Sequence, residues 1–400
     1  MACAPPRPPL SIAARLGLGV TIAIYAGLAL GSGADRLSAG RSDLVGRVPP
    51  LLASEAIRTV GAQALTAGTA VAATEMGVRA IGNAPTDPQS AALFGAGRLA
   101  SGDRITADRA FRIAGQLGWR VPITQSYWMS QALAAGNYGI AALRLDALLR
   151  QQPALLRQRQ LTDPLERNPA GRTALIRRMA LAPVWLGYYA GDVWDVPADV
   201  VLQRAAVLDE AARSGLVLGC KAIAPIATRL AFMTQPRTGS GLWRQHCRAA
   251  GTGLVSDGQL ATLDISANPS AFTWELIGNG ELLLSVLPSG DGRGQRLTIE
   301  GMADVPRAVL AQLVVLEPGR YLLSWRTGDS QGRVSDHIRA GLTCPGERPV
   351  WLPPTLDRAV GLWRAAVQID GRCPARRLTF AAAPGAGRVW LEQITLVRAP

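Results

Sequence analysis

Glycines recur at a spacing of 34 residues at Gly68, Gly102 and Gly136, and two further series keep the same step. Ala73, Ala107 and Ala141 form one; Ala80, Ala114 and Leu148 form the other. Pro85 and Pro153 stand two periods apart, with Trp119 at the intervening position. A fixed period of this length, in a stretch rich in Ala and Leu, describes stacked helical units. The residue types fit paired antiparallel helices. Small side chains let two helices approach closely, glycine takes the tight turn between them, and proline stops the second helix. The clearest copy runs from Gln125 to Pro153. It has an apolar helix through Trp128 and Ala132, a turn at Gly136-Asn137-Tyr138, and a helix through Ala141, Leu145 and Leu148. The plain alternative for so alanine-rich a chain is an ordinary helical bundle.

At Ala132, Gly136, Tyr138, Ala141, Leu145, Leu148 and Pro153 the pattern resembles the tetratricopeptide repeat. The resemblance covers about residues 52–153 and departs from the family in the first helix of each copy, where its large-residue signature is weak. A degenerate pair is expected at Arg172–Tyr189 and Pro197–Arg213, so the array is assigned to residues 51–235. The resemblance implies a solenoid with a concave groove that holds peptides or partner proteins. Tyr127, Trp128, Tyr188 and Tyr189 are the candidate groove residues, with Trp185 and Trp194 beside them, although aromatics at helical spacing more often fill cores.

Ahead of the array, residues 16–34 carry no charge. Nineteen residues in a helix span roughly 28 Å, close to the hydrocarbon thickness of a bilayer. Arg7 and Arg15 precede the run, which favours a cytoplasmic segment 1–15, while Arg36, Arg41 and Arg47 follow it in a linker at 35–50. The favoured reading is a single uncleaved transmembrane anchor with the bulk of the chain in the periplasm. The competing reading is a cleaved signal peptide; Leu30-Gly31-Ser32-Gly33-Ala34 offers small residues without a clean small-x-small site. Cys3 precedes the apolar run, a position that excludes acylation of a lipoprotein type after cleavage.

Beyond a Gly- and Pro-bearing linker at 236–253, the pattern turns to short alternating strands. They are expected at Leu260–Ile265, Phe272–Ile277, Glu281–Val286, Arg296–Met302, Ala308–Leu316, Arg320–Arg326, His337–Thr343, Trp363–Ile369, Arg377–Ala382 and Val389–Val397. Turns such as Gly278-Asn279-Gly280 separate them, a spacing that indicates an antiparallel sandwich over residues 254–398. Phe272-Thr273-Trp274, the turn Glu317-Pro318-Gly319-Arg320-Tyr321 feeding Leu322–Trp325, then Cys344, Trp363, Cys373 and Trp390 follow in the order of a jelly roll. This region resembles the non-catalytic jelly rolls related to carbohydrate-binding modules, and C-terminal domains joined to tetratricopeptide-like arrays in proteobacterial envelope proteins. Sugar binding in such domains uses flat aromatic faces. Trp274 and Trp325 alternate with apolar neighbours and belong to the core, whereas Trp351, between Pro349 and Pro353-Pro354, is the expected glycan platform.

Four cysteines follow the apolar run, an even number that suits two bridges in an oxidising compartment. Sequence order suggests Cys220–Cys247 and Cys344–Cys373, each closing a loop of roughly 30 residues and contributing about 3–4 kcal/mol; buried free thiols are the alternative. No Cys-x-x-Cys pair is present, which argues against zinc and thioredoxin-type chemistry.

The formal charge of +13 is not a nucleic-acid signature, because Lys221 is the one lysine among 42 basic residues and the arginines are scattered. Gly95-Ala96-Gly97 with Ala100 approximates a dinucleotide fingerprint but sits in a helical repeat. Gly290-Asp291-Gly292-Arg293-Gly294 lacks the Lys-Ser/Thr of a phosphate loop. His246 and His337 read as surface or strand residues, and Gly-x-Ser-x-Gly and HExxH are missing. No catalytic, cofactor or metal residues are assigned. The fold class is multidomain α and β: a transmembrane helix, a tetratricopeptide-like α-solenoid and an antiparallel jelly-roll sandwich. The function read from this is an inner-membrane-anchored periplasmic scaffold that binds a protein partner of envelope machinery, and polysaccharide through the sandwich, in surface polysaccharide assembly or export. The alternatives are a purely structural interaction module and a divergent glycan-active enzyme using Glu275, Glu281 or Glu300.

Overall fold

The computed structural model describes residues 12–248, 251, 253–264, 270–278 and 280–399; Cys3, Arg7, Ile265 and Asn279 lie outside them. Two compact units divide between Leu155 and Leu156. The chain carries an N-terminal apolar helix, a helical array and a C-terminal two-sheet antiparallel sandwich.

In the first unit, helix α1 (Ile12–Ser38) runs past both ends of the uncharged segment. Its large apolar side chains from Leu16 to Leu30 are exposed. A 3₁₀ turn over Ser42–Arg47 follows. Three helical hairpins come next: α2 (Ser54–Thr66) with α3 (Ala70–Asn83), α4 (Pro88–Ala100) with α5 (Arg104–Leu117), and α6 (Pro122–Ala134) with α7 (Tyr138–Gln151). Gly68, Gly102 and Gly136 make the reversals at φ of +75°, +86° and +68°. At each, the residue after the glycine donates its amide to a carbonyl five residues back, Thr69 to Ala64, Asp103 to Arg98 and Asn137 to Ala132, at 2.8–2.9 Å. This is the Schellman closure, and it needs a left-handed residue. The alanine series also has a structural reason: Ala73, Ala107 and Ala141 are fully buried, as are Ala80 and Ala114.

Neighbouring hairpins meet backbone to backbone. A methyl on Gly77 would lie 2.6 Å from Phe94 Cα, and one on Gly97 would lie 2.7 Å from the Thr74 amide nitrogen. The Gly95-Ala96-Gly97 run is thus a helix-crossing device inside α4. Phe111 of α5 stacks on Tyr127 of α6 with ring centroids 4.1 Å apart, locking the second hairpin to the third.

In the second unit, α8 (Arg159–Glu166), α9 (Pro169–Met179), α10 (Trp185–Gly191), α11 (Ala198–Arg213), α12 (Cys220–Phe232) and α13 (Pro236–His246) precede the strands. The expected helix Arg172–Tyr189 is two helices, because Ala182 turns at φ +47° directly before Pro183. Arg204 is buried and donates to the carbonyls of Leu156, Tyr189 and Asp192 at 2.8–3.2 Å. The stretch 236–253, expected as a linker, begins with helix α13. That helix is tied down by Cys220–Cys247 and by Arg237, whose guanidinium grips Glu317 through two bonds of 2.7 Å.

The strands are β1 (Glu275–Leu276), β2 (Leu283–Pro288), β3 (Gln295–Gly301), β4 (Arg307–Val315), β5 (Gly319–Asp329), β6 (Ile338–Thr343), β7 (Thr355–Asp357), β8 (Leu362–Ile369), β9 (Ala375–Ala382) and β10 (Gly387–Arg398). They pair antiparallel in two sheets, β1-β4-β9-β6 and β2-β3-β10-β5-β8-β7. The chain passes repeatedly from one sheet to the other, as jelly rolls do. Alternate residues point inward: Tyr321, Leu323 and Trp325 from β5, Leu297 and Ile299 from β3, Leu378 and Phe380 from β9.

Of the expected strand Leu260–Ile265, the described residues 260–264 form a turn instead. Asp257 and Leu260 have φ of +51° and +55°, and the Asp257 carboxylate takes the amides of Ala261 and Thr262 at 2.8 Å, leaving those groups nothing to give a ladder. This turn fills the bulge of β10, where the Ile394 amide donates to Gly258 at 2.8 Å.

Two glycine substitutions separate turn from crossing. At Gly102 an added methyl meets nothing within 4 Å, so Gly102→Ala carries only the left-handed penalty of about 1–2 kcal/mol. At Gly77 the φ is not left-handed, and Gly77→Ala carries an overpacking cost of about 1–3 kcal/mol because backbone must move. Thermal unfolding of the two variants is expected to show lower stability in both, with loosened amide protection between α3 and α4 in the Gly77 variant alone.

Candidate functional site

Two concavities and one aromatic platform are the candidate binding surfaces. In the first unit a cavity of about 730 Å³ opens between α4, α5 and α6, lined by Leu99, Arg104, Ile105, Arg109, Tyr127 and Gln131 among others. Tyr127 is held by its stack on Phe111 while its hydroxyl donates to Asp108 at 3.1 Å; burial, with Asp108 close by, raises its pKa. Arg112 pairs with the same carboxylate at 2.8 Å. Asp108 is thus engaged on both sides, and Arg104 and Arg109 stand exposed around it. The rim suits an acidic segment with an apolar anchor against Ile105.

The four aromatics singled out in the sequence fall two in each unit. Tyr127 lines this cavity, and Trp128 is half-buried with its ring edge-on to Tyr127 at 5.1 Å. Tyr188 and Tyr189 belong to the second unit. Tyr188 is 51% exposed, while Tyr189 is 1% exposed and lies under the Arg204 guanidinium at 5.1 Å, so it serves a core. Beside it, burial pushes the Glu166 carboxyl above the usual range.

A cleft of about 780 Å³ lies in the second unit on the outer face of the four-stranded sheet. Ala311, Leu313 and Ala375 form its floor, and Phe232 and Pro236 form one wall. Arg377 donates to Glu275 at 2.6 Å on that floor. Phe232 is 69% exposed and pairs with half-exposed Trp194, over which the Arg229 guanidinium sits at 5.3 Å.

Trp351 stands on the same outer face, at the β6 edge. Its ring lies on Gly341, where an added methyl would come within 3.2–3.3 Å of the indole. Any side chain at 341 would lift the ring. The indole is half-buried, with Val350, Pro353 and Pro354 exposed beside it. Arg339 shares this face of β6 and is exposed. Trp274 and Trp325 are buried against Phe380, as expected of core residues. Trp390, which sequence reasoning left among several tryptophans, lies half-buried on the outer face of the six-stranded sheet, seated on Gly328 with the Arg296 guanidinium 5.0 Å from its ring. The signal in both cases is a glycine on the adjoining strand.

The acidic residues considered for glycoside chemistry do not converge. Glu275 is paired with Arg377, Glu281 with Arg307 at 2.6 Å, and Glu300 with Arg388 at 2.9 Å on the other sheet. Among the described residues no cluster of His, Cys, Asp and Glu is arranged to hold a metal ion. Both expected disulfides, Cys220–Cys247 and Cys344–Cys373, are formed.

His246 departs from the surface assignment. It is fully buried at the end of α13, next to Cys247. Its Nε2 lies 3.0 Å from the Leu208 carbonyl and its Nδ1 accepts the Leu218 amide at 3.3 Å. This pattern fits the neutral ring with the proton on Nε2, and burial lowers its pKa.

No family model matches the chain, and neither does any curated protein. Among solved structures, one similar chain is TmCBM61 in complex with β-1,4-galactotriose, at 14% identity over 37% of this chain and 100% of that one, with a TM-score of 0.26. A second is a protein from Bacteroides thetaiotaomicron VPI-5482 named as sugar binding, at 12% identity over 33% and 90%, with a TM-score of 0.25. A third is the enzymatically active domain of bacteriophage CBA120 tailspike protein 4, at 13% identity over 37% of this chain and 21% of that one, with a TM-score of 0.26.

The buried neutral histidine gives a signed pH dependence. With its folded pKa below the unfolded value of about 6.5, His246 contributes stability that is complete above that value and lost as pH falls through the folded pKa. The melting temperature is expected to fall with acidification below neutrality, and His246→Asn is expected to flatten that slope.

Proposed function

We propose that the chain is a non-catalytic scaffold, tethered to the inner membrane by α1 with its bulk in the periplasm, that grips a protein partner through the helical array and glycan through the sandwich. One observation carries the reading: an exposed apolar helix is joined in a single chain to an arginine-rimmed array and to a sandwich bearing an indole seated on glycine. The two disulfides suit an oxidising compartment. The period of 34 residues and its Schellman turns support tetratricopeptide-like packing, whose concave surface takes extended acidic peptide against Arg104 and Arg109. A sugar ring stacks on Trp351 and takes hydrogen bonds from Arg339. Surface polysaccharide assembly or export is the setting in which both ligands occur together.

A second reading, in which both domains contact only protein, is favoured by the exposed Trp194–Phe232 pair beside the cleft, because aromatic and arginine side chains of this kind anchor protein interfaces. Trp351→Ala distinguishes the two. Binding to an oligosaccharide array is expected to weaken about tenfold, equivalent to about 1.4 kcal/mol, with an unchanged melting profile. Unchanged glycan retention with a folded variant removes the sugar half of the proposal. Loss of partner crosslinking in Arg104→Glu/Arg109→Glu supports the array half in either case.

A further inference from the structure

The end of α1 is built into the array. Helix α2 starts at Ser54 with Ala53 at its N-cap, a residue with no side chain to bond the free amides. Asp35, in the last turns of α1, does it instead: its carboxylate accepts the amides of Glu55 at 3.0 Å and Ala56 at 2.9 Å, the second and third helical positions. Asp35 and Ser38 are buried, and Ala34 packs against the small core of Val48, Ala53 and Ala56. One turn earlier, Gly31 is buried because Leu52 lies on it; a methyl there would be 2.6 Å from Leu52 Cδ1.

That contact fixes a depth. Gly31 is three residues inside the uncharged run that ends at Ala34, roughly 4.5 Å along the helix axis. The loop Pro49-Pro50-Leu51 is therefore held beside α1 at the level where the apolar run is still continuing. The loop is uncharged and exposed, and Leu51 is 93% exposed. Leu37 is exposed too. Arg36, Arg41 and Arg47 are exposed around the same junction, with Asp43 already engaged by Arg41 at 2.8 Å. An apolar tip with exposed arginines in the adjoining segments matches the boundary between acyl chains and anionic headgroups.

We propose that this end of the array is a lipid-docking surface: the Pro49–Leu52 loop inserts at the bilayer boundary beside α1, and Arg36 and Arg47 meet anionic headgroups. It rests on the membrane-anchored reading, and deepens it by making α1 a structural part of the array that is retained. The array then sits flush on the bilayer.

The test uses the full chain in vesicles of phosphatidylethanolamine with phosphatidylglycerol. Leu51→Cys in a Cys3→Ser background receives a nitroxide, since the remaining cysteines are bonded in pairs. A second sample carries the label at Leu28→Cys, on the exposed stretch of α1. At both positions, collisions with oxygen dissolved in lipid are expected to exceed collisions with an aqueous nickel chelate several-fold. Gly31→Leu, which pushes Leu52 off the helix, is expected to return the label at 51 to water while the chain stays with the vesicles. A label at 51 that is wetted while the one at 28 is in lipid overturns the docking and leaves the anchor standing. Labels wetted at both positions overturn both. A label at 51 shielded from both collision partners assigns the surface to a protein contact and also overturns the proposal.

Discussion

A left-handed turn that glycine takes without penalty sets the geometry of the helical array. Where Gly68, Gly102 and Gly136 reverse the chain, the closing amide bond fixes the rotation of each second helix about its first. The alanine series then falls on the contact face, and close backbone crossings follow at Gly77 and Gly97. Larger side chains would force the helices apart and open voids whose lining loses its contacts. The exposed faces, including Arg104 and Arg109, take their positions from that spacing.

The same physical device recurs in the sandwich for a different end. Gly341 and Gly328 each leave a flat hollow on the outside of a sheet, and each hollow is filled by an indole from a neighbouring segment. An aromatic ring resting on backbone is rigid and partly desolvated, which lowers the entropic cost of stacking a second planar or pyranose surface on it. The seat of the Trp351 ring therefore depends on one residue that has no side chain.

Much of this was legible in the sequence, and the rest was not for identifiable reasons. The repeat showed itself because glycine and alanine are demanded at fixed steps, and most strands because one face of each is buried. The cysteine pairs followed from order alone. The alternation over 260–264 misled because it also arises in a turn whose amides are captured by a side chain, here Asp257. β7 is too short to leave a periodic trace. The burial of His246 and Arg204 was invisible because each is satisfied by backbone carbonyls or amides from distant segments, which carry no sequence signature. Asp35 was hidden likewise: its partner helix begins at Ser54 behind an Ala53 N-cap, and the missing cap was the one hint that another segment supplies it. Of the groove aromatics, residue type alone could not tell the buried Tyr189 from the exposed Tyr188 beside it.

The placement of the two disulfides has a consequence for how the chain withstands cleavage. Cys220–Cys247 encloses α12 and all of α13, and Cys344–Cys373 encloses the Val350–Pro354 stretch together with β7 and β8. A protease that nicks the backbone inside either loop leaves two fragments still covalently joined. Such a molecule stays in one piece until a reductant reaches it, so a nick within either loop would be silent under oxidising conditions.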